Sequence, residues 1–287
     1  MIDLHLHSTF SDGTDTPEAL AALGAQAGLR AMALTDHDNV RGAQAFLHAC
    51  RARRLTGLTG VEISAEVPTG TLHILGYGID PAHAELLQNL DRVLDGREWR
   101  NEQILKRLND FGLALAWEEV AALAGDDVVG RPHFARAMVN RGYVANTQEV
   151  FDKYLAKGMP AYVDRFRLFP AEGIRLIRAA GGLPVIAHPF TWIENPAALE
   201  SALTELTRLG LGGIEAYYPE HGNERTIACL RLARKLGLVV TGGTDYHGDA
   251  KANVAIGKAD GSFVVPDELL RPLLDALPGR AGVAEAG

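Results

Sequence analysis

Cysteine is nearly absent: Cys50 and Cys229 are the only two in 287 residues, far apart and in no Cys-x-x-Cys spacing. That excludes a disulfide framework and a thiolate zinc site, and leaves both thiols as small buried hydrophobes. No apolar run nears the ~20 residues that cross a bilayer, and no basic segment leads into an apolar one at the start. A cytoplasmic protein with no membrane partner is expected. Positive charge is in deficit, 28 Lys and Arg against 36 Asp and Glu, for a net charge of -8. Such a chain does not hold long DNA by counterion release. A small anion is still allowed, because metal ions and a few arginines can reverse the sign inside one cleft. No Gly-x-Ser-x-Gly or cysteine nucleophile motif occurs, and no lysine precedes Lys106.

What is present is an ordinary globular composition, 47% hydrophobic and 22% charged, with ten histidines. The first stretch organises the rest. If residues 2–7 form a strand, its period of two sends Asp3, His5 and His7 to one face and Ile2, Leu4 and Leu6 to the other. Two imidazoles on a rigid strand converge as a metal requires. Thr16-Pro17 then reads as a helix cap and first turn. Short apolar strands follow at 29–35, 58–67 and 71–79, the last two paired through a turn at 68–70. From about 81 to 164 the pattern is helical, with a long charged helix over 82–111 and short ones near 117–124, 132–141 and 147–155. Alternation resumes with strands at 183–187, 213–217 and 239–241 separated by helices, so a parallel sheet with a site at one rim is expected. The Gly- and Ala-rich tail after Pro278 is expected to fray.

Polar residues gather where these strands end: His5, His7, Asp12, His37, Glu62, His73, His188, Asp245 and His247. Nine such groups exceed what one ion can use, which points to two or three divalent metals. His and carboxylate ligands suit manganese, zinc and iron alike. A glutamate can bridge two cations and hold a hydroxide between them.

His5-Leu6-His7, Thr35-Asp36-His37-Asp38, Gly60-Val61-Glu62, His73, Ala187-His188-Pro189 and Thr244-Asp245-Tyr246-His247 together resemble the motifs of the PHP (polymerase and histidinol phosphatase) family of metallophosphoesterases. The resemblance implies an α/β fold, a distorted (β/α)7 barrel over 1–98 and 165–287 with a small helical subdomain or cap inserted at 99–164. It also implies a ligand set. His5, His7, Glu62 and Asp245 would hold a first ion, Glu62, His73 and His188 a second, and Asp12, His37 and His247 a third. The insert segments Gly130-Arg131-Pro132-His133-Phe134 and Phe151-Asp152-Lys153-Tyr154-Leu155 are similar to stretches in the branch of nucleoside 3′,5′-bisphosphate phosphatases and ribonucleases acting from RNA 5′ ends. That branch implies a small phosphorylated nucleotide as partner, with short RNA as a second candidate, and favours manganese.

The expected chemistry is in-line attack on phosphorus by a metal-bridging hydroxide, with Glu62, Arg131, His188 and His247 as catalytic groups. Ser11, Asp12, His37, Arg131 and His133 are expected to touch substrate. Arg131 suits a phosphate because its guanidinium meets two oxygens at once. Amidohydrolases also open with His-x-His, but their paired metals commonly share a carboxylated lysine in the first half of the barrel, and none is available here. A non-catalytic binding module would have lost ligands; every matched position is occupied. Asp36 is read as orienting a ligand and Asp38 as a turn residue, and Glu215 either lines the mouth or caps a strand. His48, His83 and His221 are expected at the surface or in ordinary hydrogen bonds, and Trp99 and Trp117 as packing residues of the insert.

Overall fold

The computed structural model describes residues 1–287 apart from 69–71, 125–128, 252, 260–262, 280 and 286–287. The turn expected at 68–70 falls largely outside the described residues. The chain forms two compact units, Met1–Leu90 with Leu168–Gly287, and Asp91–Arg167. The joints expected at 99 and 164 both lie within the second unit, because a single helix, α3 (Ala84–Asp110), runs through the first joint and a continuous helix carries no sequence mark there.

In the first unit seven strands follow one another in sequence order: β1 (Ile2–Leu6), β2 (Ala31–Leu34), β3 (Thr56–Ala65), β4 (Leu72–Tyr77), β5 (Leu183–Ile186), β6 (Gly213–Tyr217) and β7 (Val239–Gly242). β1, β2 and β3 are parallel, as are β5, β6 and β7. β4 is antiparallel to both neighbours; its pairing with β3 is the hairpin expected there, and its antiparallel pairing with β5 makes the otherwise parallel sheet mixed. Its hairpin with β3 has no crossover helix, and parallel pairing needs one. The two ends of the order meet where His7 N–H donates to the Tyr246 carbonyl at 2.9 Å. Gly243 permits that approach, since a Cβ on it would lie 2.3 Å from His5 Cβ. The result is a nearly closed α/β barrel.

Helices α1 (Pro17–Gln26), α2 (Ala43–Ala52), α7 (Pro170–Ala179), α8 (Pro196–Arg208) and α9 (Gly222–Leu236) connect the strands. Thr16 caps α1 by accepting from Ala19 N–H, and Asn195 caps α8. Core residues Ile2, Leu4, Leu58, Tyr77, Val185 and Leu273 pack together, and the Tyr77 hydroxyl donates to the Leu4 carbonyl at 2.9 Å. Leu273 comes from α10 (Leu270–Ala276). Two residues of the tail expected to fray are instead paired. β8 (Val283–Ala284) pairs with Gly57 and Leu58 of β3, and Ala284 is fully buried. β4 reaches β3 only from Gly60 onward, so these two β3 residues would otherwise present an unpaired edge.

The second unit combines most of α3 with α4 (Trp117–Ala124), α5 (Arg131–Asn140) and α6 (Thr147–Val150), which runs on into a π turn, Phe151–Leu155. Its core is Ile104, Leu108, Val120, Phe134, Met138, Val150 and Leu155. Trp99 and Trp117, expected to pack there, are 53% and 40% exposed. The inward stripe of α3 passes through Arg100, Asn101, Ile104 and Leu108, and Trp99 lies off it. No helix among the described residues is long and apolar enough to cross a membrane.

Candidate metal centre

All nine expected ligands come from one rim of the barrel. His5 and His7 end or follow β1, Asp12 lies in the loop beyond, and His37 follows β2. Glu62 is in β3, His73 in β4, His188 after β5, and Asp245 and His247 after β7. Asp3, on the same strand face as His5 and His7, lies outside the cluster. It accepts from Thr244 N–H and hydroxyl and from Gly257 N–H, and burial pushes its carboxyl up to about 6.

Glu62 is the hub. Its Oε2 lies 3.1 Å from His5 Nε2, 3.1 Å from His7 Nε2 and 3.2 Å from His37 Nδ1. Its Oε1 lies 2.8 Å from His73 Nδ1 and 3.0 Å from His188 Nε2. Asp245 Oδ1 faces His5 and His7 at 3.3 and 3.2 Å, and Asp12 Oδ1 faces His7 and His247, each at 3.3 Å. Yet His7 Nε2, His37 Nδ1 and His73 Nδ1 are buried without hydrogen-bond geometry to any partner. Donor atoms about 3 Å apart that do not bond each other are what ligands roughly 2.1 Å from a shared cation look like.

Three groups of ligand atoms could each hold an ion: His5, His7, Glu62 and Asp245; His37, Glu62 and His73; and His7, Asp12, His37 and His247. The first coincides with the set the resemblance implies. In the second His37 takes part, with His188 reaching the same Glu62 oxygen as His73, and in the third His7 joins. The residues therefore fit two or three divalent ions.

Electrostatics agree. Burial opposes charge on His5, but Glu215, Glu62 and Asp245 hold its pKa well above the usual value. His7 is raised likewise against burial, by Asp12 above all, then Asp245 and Glu62. Burial also opposes ionisation of Glu62 and Asp245, which the surrounding imidazoles nevertheless keep well below the usual carboxylate range. His37 is depressed to about 4 by burial. Negative charge is thus retained at the centre at the expense of protons on the imidazoles, which cations can replace.

Supporting contacts fix the ligands. Glu215, left between two readings by sequence, is fully buried, its Oε1 2.9 Å from His5 Nδ1 and its Oε2 accepting from His188 N–H at 2.7 Å. It orients two ligands from behind. Asp36 accepts from Ser8 N–H and hydroxyl and from the Ser11 hydroxyl, and Asp38 accepts from Ser64 N–H with a left-handed φ of 48°. His188 and Asp245 also have positive φ, 25° and 54°, so among the described residues three of the four non-glycine residues in that region border the site. Ser11, expected to touch substrate, is 5% exposed with its hydroxyl directed to Asp36 and Asp12. Tyr218, Thr191 and Lys251 had not been singled out. Each lines the cavity of about 280 Å³ beside His37, His73 and His247. The Tyr218 hydroxyl donates to Asp245 Oδ2, Lys251 pairs with the same oxygen, and Thr191 bonds His188 Nδ1. They lie in loops past the strand ends, where no period marks a facing side chain. His221, expected at the surface or in an ordinary hydrogen bond, is buried and bonded to the Ala216 carbonyl.

In the second unit, Arg131 donates to the Leu155 carbonyl at 3.1 Å and lies over the Tyr162 ring at 5.4 Å. His133 Nδ1 accepts from Gly130 N–H at 3.0 Å, closing the start of α5.

The sequence profile of the PHP domain matches residues 3–154. A 3′,5′-nucleoside bisphosphate phosphatase of Chromobacterium violaceum is 32% identical over 260 residues, 90% of this chain and 91% of its own. The 5′-3′ exoribonuclease Rnm of Escherichia coli is 33% identical over 248 residues, 85% of this chain and 84% of its own. Among solved structures, an amidohydrolase from C. violaceum, described with bound sulfate and no metal, matches with a TM-score of 0.76 at 31% identity over 98% of this chain and 99% of that one. A protein from Bifidobacterium adolescentis described as a metal-dependent phosphoesterase gives a TM-score of 0.75 at 27% identity over 96% and 95%. With nine ligand-type side chains around one buried glutamate and these matches along its length, the chain belongs to the PHP family and is a metal-dependent phosphoesterase.

Proposed function

We propose that this hydrolase removes the 3′-phosphate from nucleoside 3′,5′-bisphosphates such as adenosine 3′,5′-bisphosphate, in the cytoplasm and with manganese as the favoured metal. The observation that carries the reading is Glu62, whose two oxygens are divided among five imidazoles in a way suited to bridging ions. The printed activity of the C. violaceum relative supports the substrate. His5, His7 and Asp245 would hold a first ion with Glu62, His73 and His188 would hold a second with it, and Asp12, His37 and His247 would hold a third. Such ions bring the pKa of a bound water toward neutrality and offset charge on phosphoryl oxygens. In this reading His188 and His247 would hand a proton to the leaving alkoxide, Asp12 and His37 would border the reacting phosphate, and Arg131 with His133 would neutralise phosphate charge.

A second reading, exonucleolytic cleavage of short 5′-phosphorylated RNA, is favoured by the 33% identity to the E. coli ribonuclease. Both use a 5′-phosphate as a handle whose binding energy positions the reacting group. The test compares adenosine 3′,5′-bisphosphate, adenosine 3′-monophosphate, histidinol phosphate and a 5′-phosphorylated trinucleotide under one manganese concentration. The bisphosphate should give the highest kcat/KM. A clear preference for the trinucleotide would select the second reading, and one for histidinol phosphate would end the argument from a second phosphate.

A further inference from the structure

The Asp245 carboxylate is divided between two neighbourhoods. Its Oδ1 faces His5 and His7, which with Glu62 make up one of the groups of ligand atoms, whereas its Oδ2 accepts from the Tyr218 hydroxyl at 3.2 Å and pairs with the Lys251 ammonium. Lys251 closes a short 3₁₀ turn, Gly248–Lys251, in the loop after β7. That loop is fixed at several points. Asp3 anchors it at two places, accepting from Thr244 N–H and hydroxyl at one and from Gly257 N–H at the other. Between them the chain is laid against the loop after β1: Thr14 N–H donates to the His247 carbonyl at 3.2 Å, the Thr14 hydroxyl accepts from Asp249 N–H at 3.1 Å, and the Tyr246 hydroxyl donates to Asp15 at 2.9 Å. Gly248, with a φ of 68°, permits the approach, since a Cβ on it would lie 1.9 Å from the Thr14 hydroxyl oxygen.

The backbone beneath Lys251 is thereby set, while its side chain is 38% exposed against 8% for Asp245. It lines the cavity of about 280 Å³ together with His37, His73, His188 and His247, and among the described lining residues it is the only lysine or arginine. Support of Asp245 does not account for a lysine at this position. Tyr218 already donates to Oδ2, and an ion pair whose ammonium meets solvent contributes little. A fixed cation beside a ligand carboxylate also competes with a metal ion for it, which a hydroxyl donor alone would not do. What the ammonium adds is positive charge at the wall of a cavity whose other charged or titratable lining groups are imidazoles, carboxylates and a phenol. Its flexible four-carbon stem can carry that charge from Asp245 to an incoming anion.

We infer that Lys251 is a substrate-binding residue of the phosphoesterase site, its ammonium donating to an oxygen of the phosphoryl group that is hydrolysed. Asp245 and Tyr218 hold the cavity wall in place, and the ammonium turns from the carboxylate to the phosphate when substrate enters. A charge-assisted bond to a phosphoryl oxygen then offsets the negative charge that the site must accommodate during attack. This role follows from phosphoester hydrolysis itself, whichever nucleotide is cleaved.

The test compares the full-length parent with Lys251→Met and Lys251→Arg, their folding checked by circular dichroism. Manganese is titrated into chelated protein, and inorganic phosphate is then titrated by calorimetry into protein saturated with manganese. Lys251→Met should bind phosphate about tenfold more weakly or worse, while binding manganese as tightly as the parent or more tightly, because the competing cation is gone. Lys251→Arg, which keeps the charge, should recover part of the phosphate affinity. No saturable phosphate binding by the loaded parent, or unchanged binding in Lys251→Met, would overturn the inference. So would a loss of manganese affinity of about tenfold in Lys251→Met, of the size expected when a group that supports a metal ligand is removed, since Lys251 would then act through Asp245. The probe is common to all phosphoester substrates, so failure of the bisphosphate comparison leaves this result standing, and failure here leaves the bisphosphate reading intact.

Discussion

The metal centre of the first unit and Arg100 in the second both bury ionisable groups, but their surroundings differ. Around Glu62 the charges are mixed, imidazoles against carboxylates, and the set compensates itself through protons until cations replace them. Arg100 instead donates to neutral oxygens, Asn101 Oδ1 and the Val129 carbonyl, and burial followed by neighbouring arginines pushes its guanidinium down to about 9. A mixed set of this kind is damaged by losing a member, because the remaining buried charges are left without their partner.

The sharpest way to break that contrast is Glu62→Gln. A neutral amide cannot bridge cations comparably, so kcat should fall by roughly 10³-fold and bound metal should drop in elemental analysis; full activity with normal metal content would remove Glu62 from the centre. Next comes Glu215→Gln, which keeps the shape but weakens the support of His5 and His188. Metal affinity, read by titration, should fall about 10- to 100-fold, and an unchanged affinity would make Glu215 a packing residue.

Metal affinity should also rise with pH, by about tenfold per unit for each proton displaced, because His5 and His7 are held protonated above the usual 6.5. The same shifts fix the pH dependence of the metal-free fold. Raised histidines contribute stability that is complete below 6.5 and lost as pH rises through their folded values, and the depressed Glu62 and Asp245 contribute stability lost as pH falls through theirs. The Tm of chelated protein should therefore decline on the alkaline side, and added metal should abolish that decline. A flat alkaline limb would contradict the mixed-charge account.

The smallest expected change is in the stability of Arg131→Ala. It loses a bond to the Leu155 carbonyl and a contact with Tyr162 but also a like-charge repulsion, so it should stay within about 1 kcal/mol of the parent in chemical unfolding while kcat/KM falls sharply. Arg131→Lys should recover part of the activity, since a point charge lacks the fork. A large loss of stability with normal kinetics would turn Arg131 into a folding residue.

The ligands were legible because strand period and residue type carry them. His5 and His7 sit two apart on β1, Asp245 and His247 two apart after β7, and each remaining ligand lies in or just beyond a strand recognisable from its apolar run. The burial of Arg100 was not legible, since an arginine inside a long charged helix looks like any solvated residue until Val129 and Asn101 meet it. β8 escaped for a similar reason. Two residues in a Gly- and Ala-rich tail have no strand signature, and only the open edge of β3 at Gly57 and Leu58 gives them a partner.

By itself the sequence determined the kinds of donor atom, their order along the chain, and hence the family and class of chemistry, because ligand identity and two-residue spacing are local properties. The tertiary structure decided which donors come together, that Glu62 faces five imidazoles at once, that Glu215 stands behind His5 and His188, and that Arg100 is buried against Asn101 and Val129. Those facts depend on the closing of the barrel at Gly243 and on the packing of α3 against Val129, long-range contacts that no local pattern encodes.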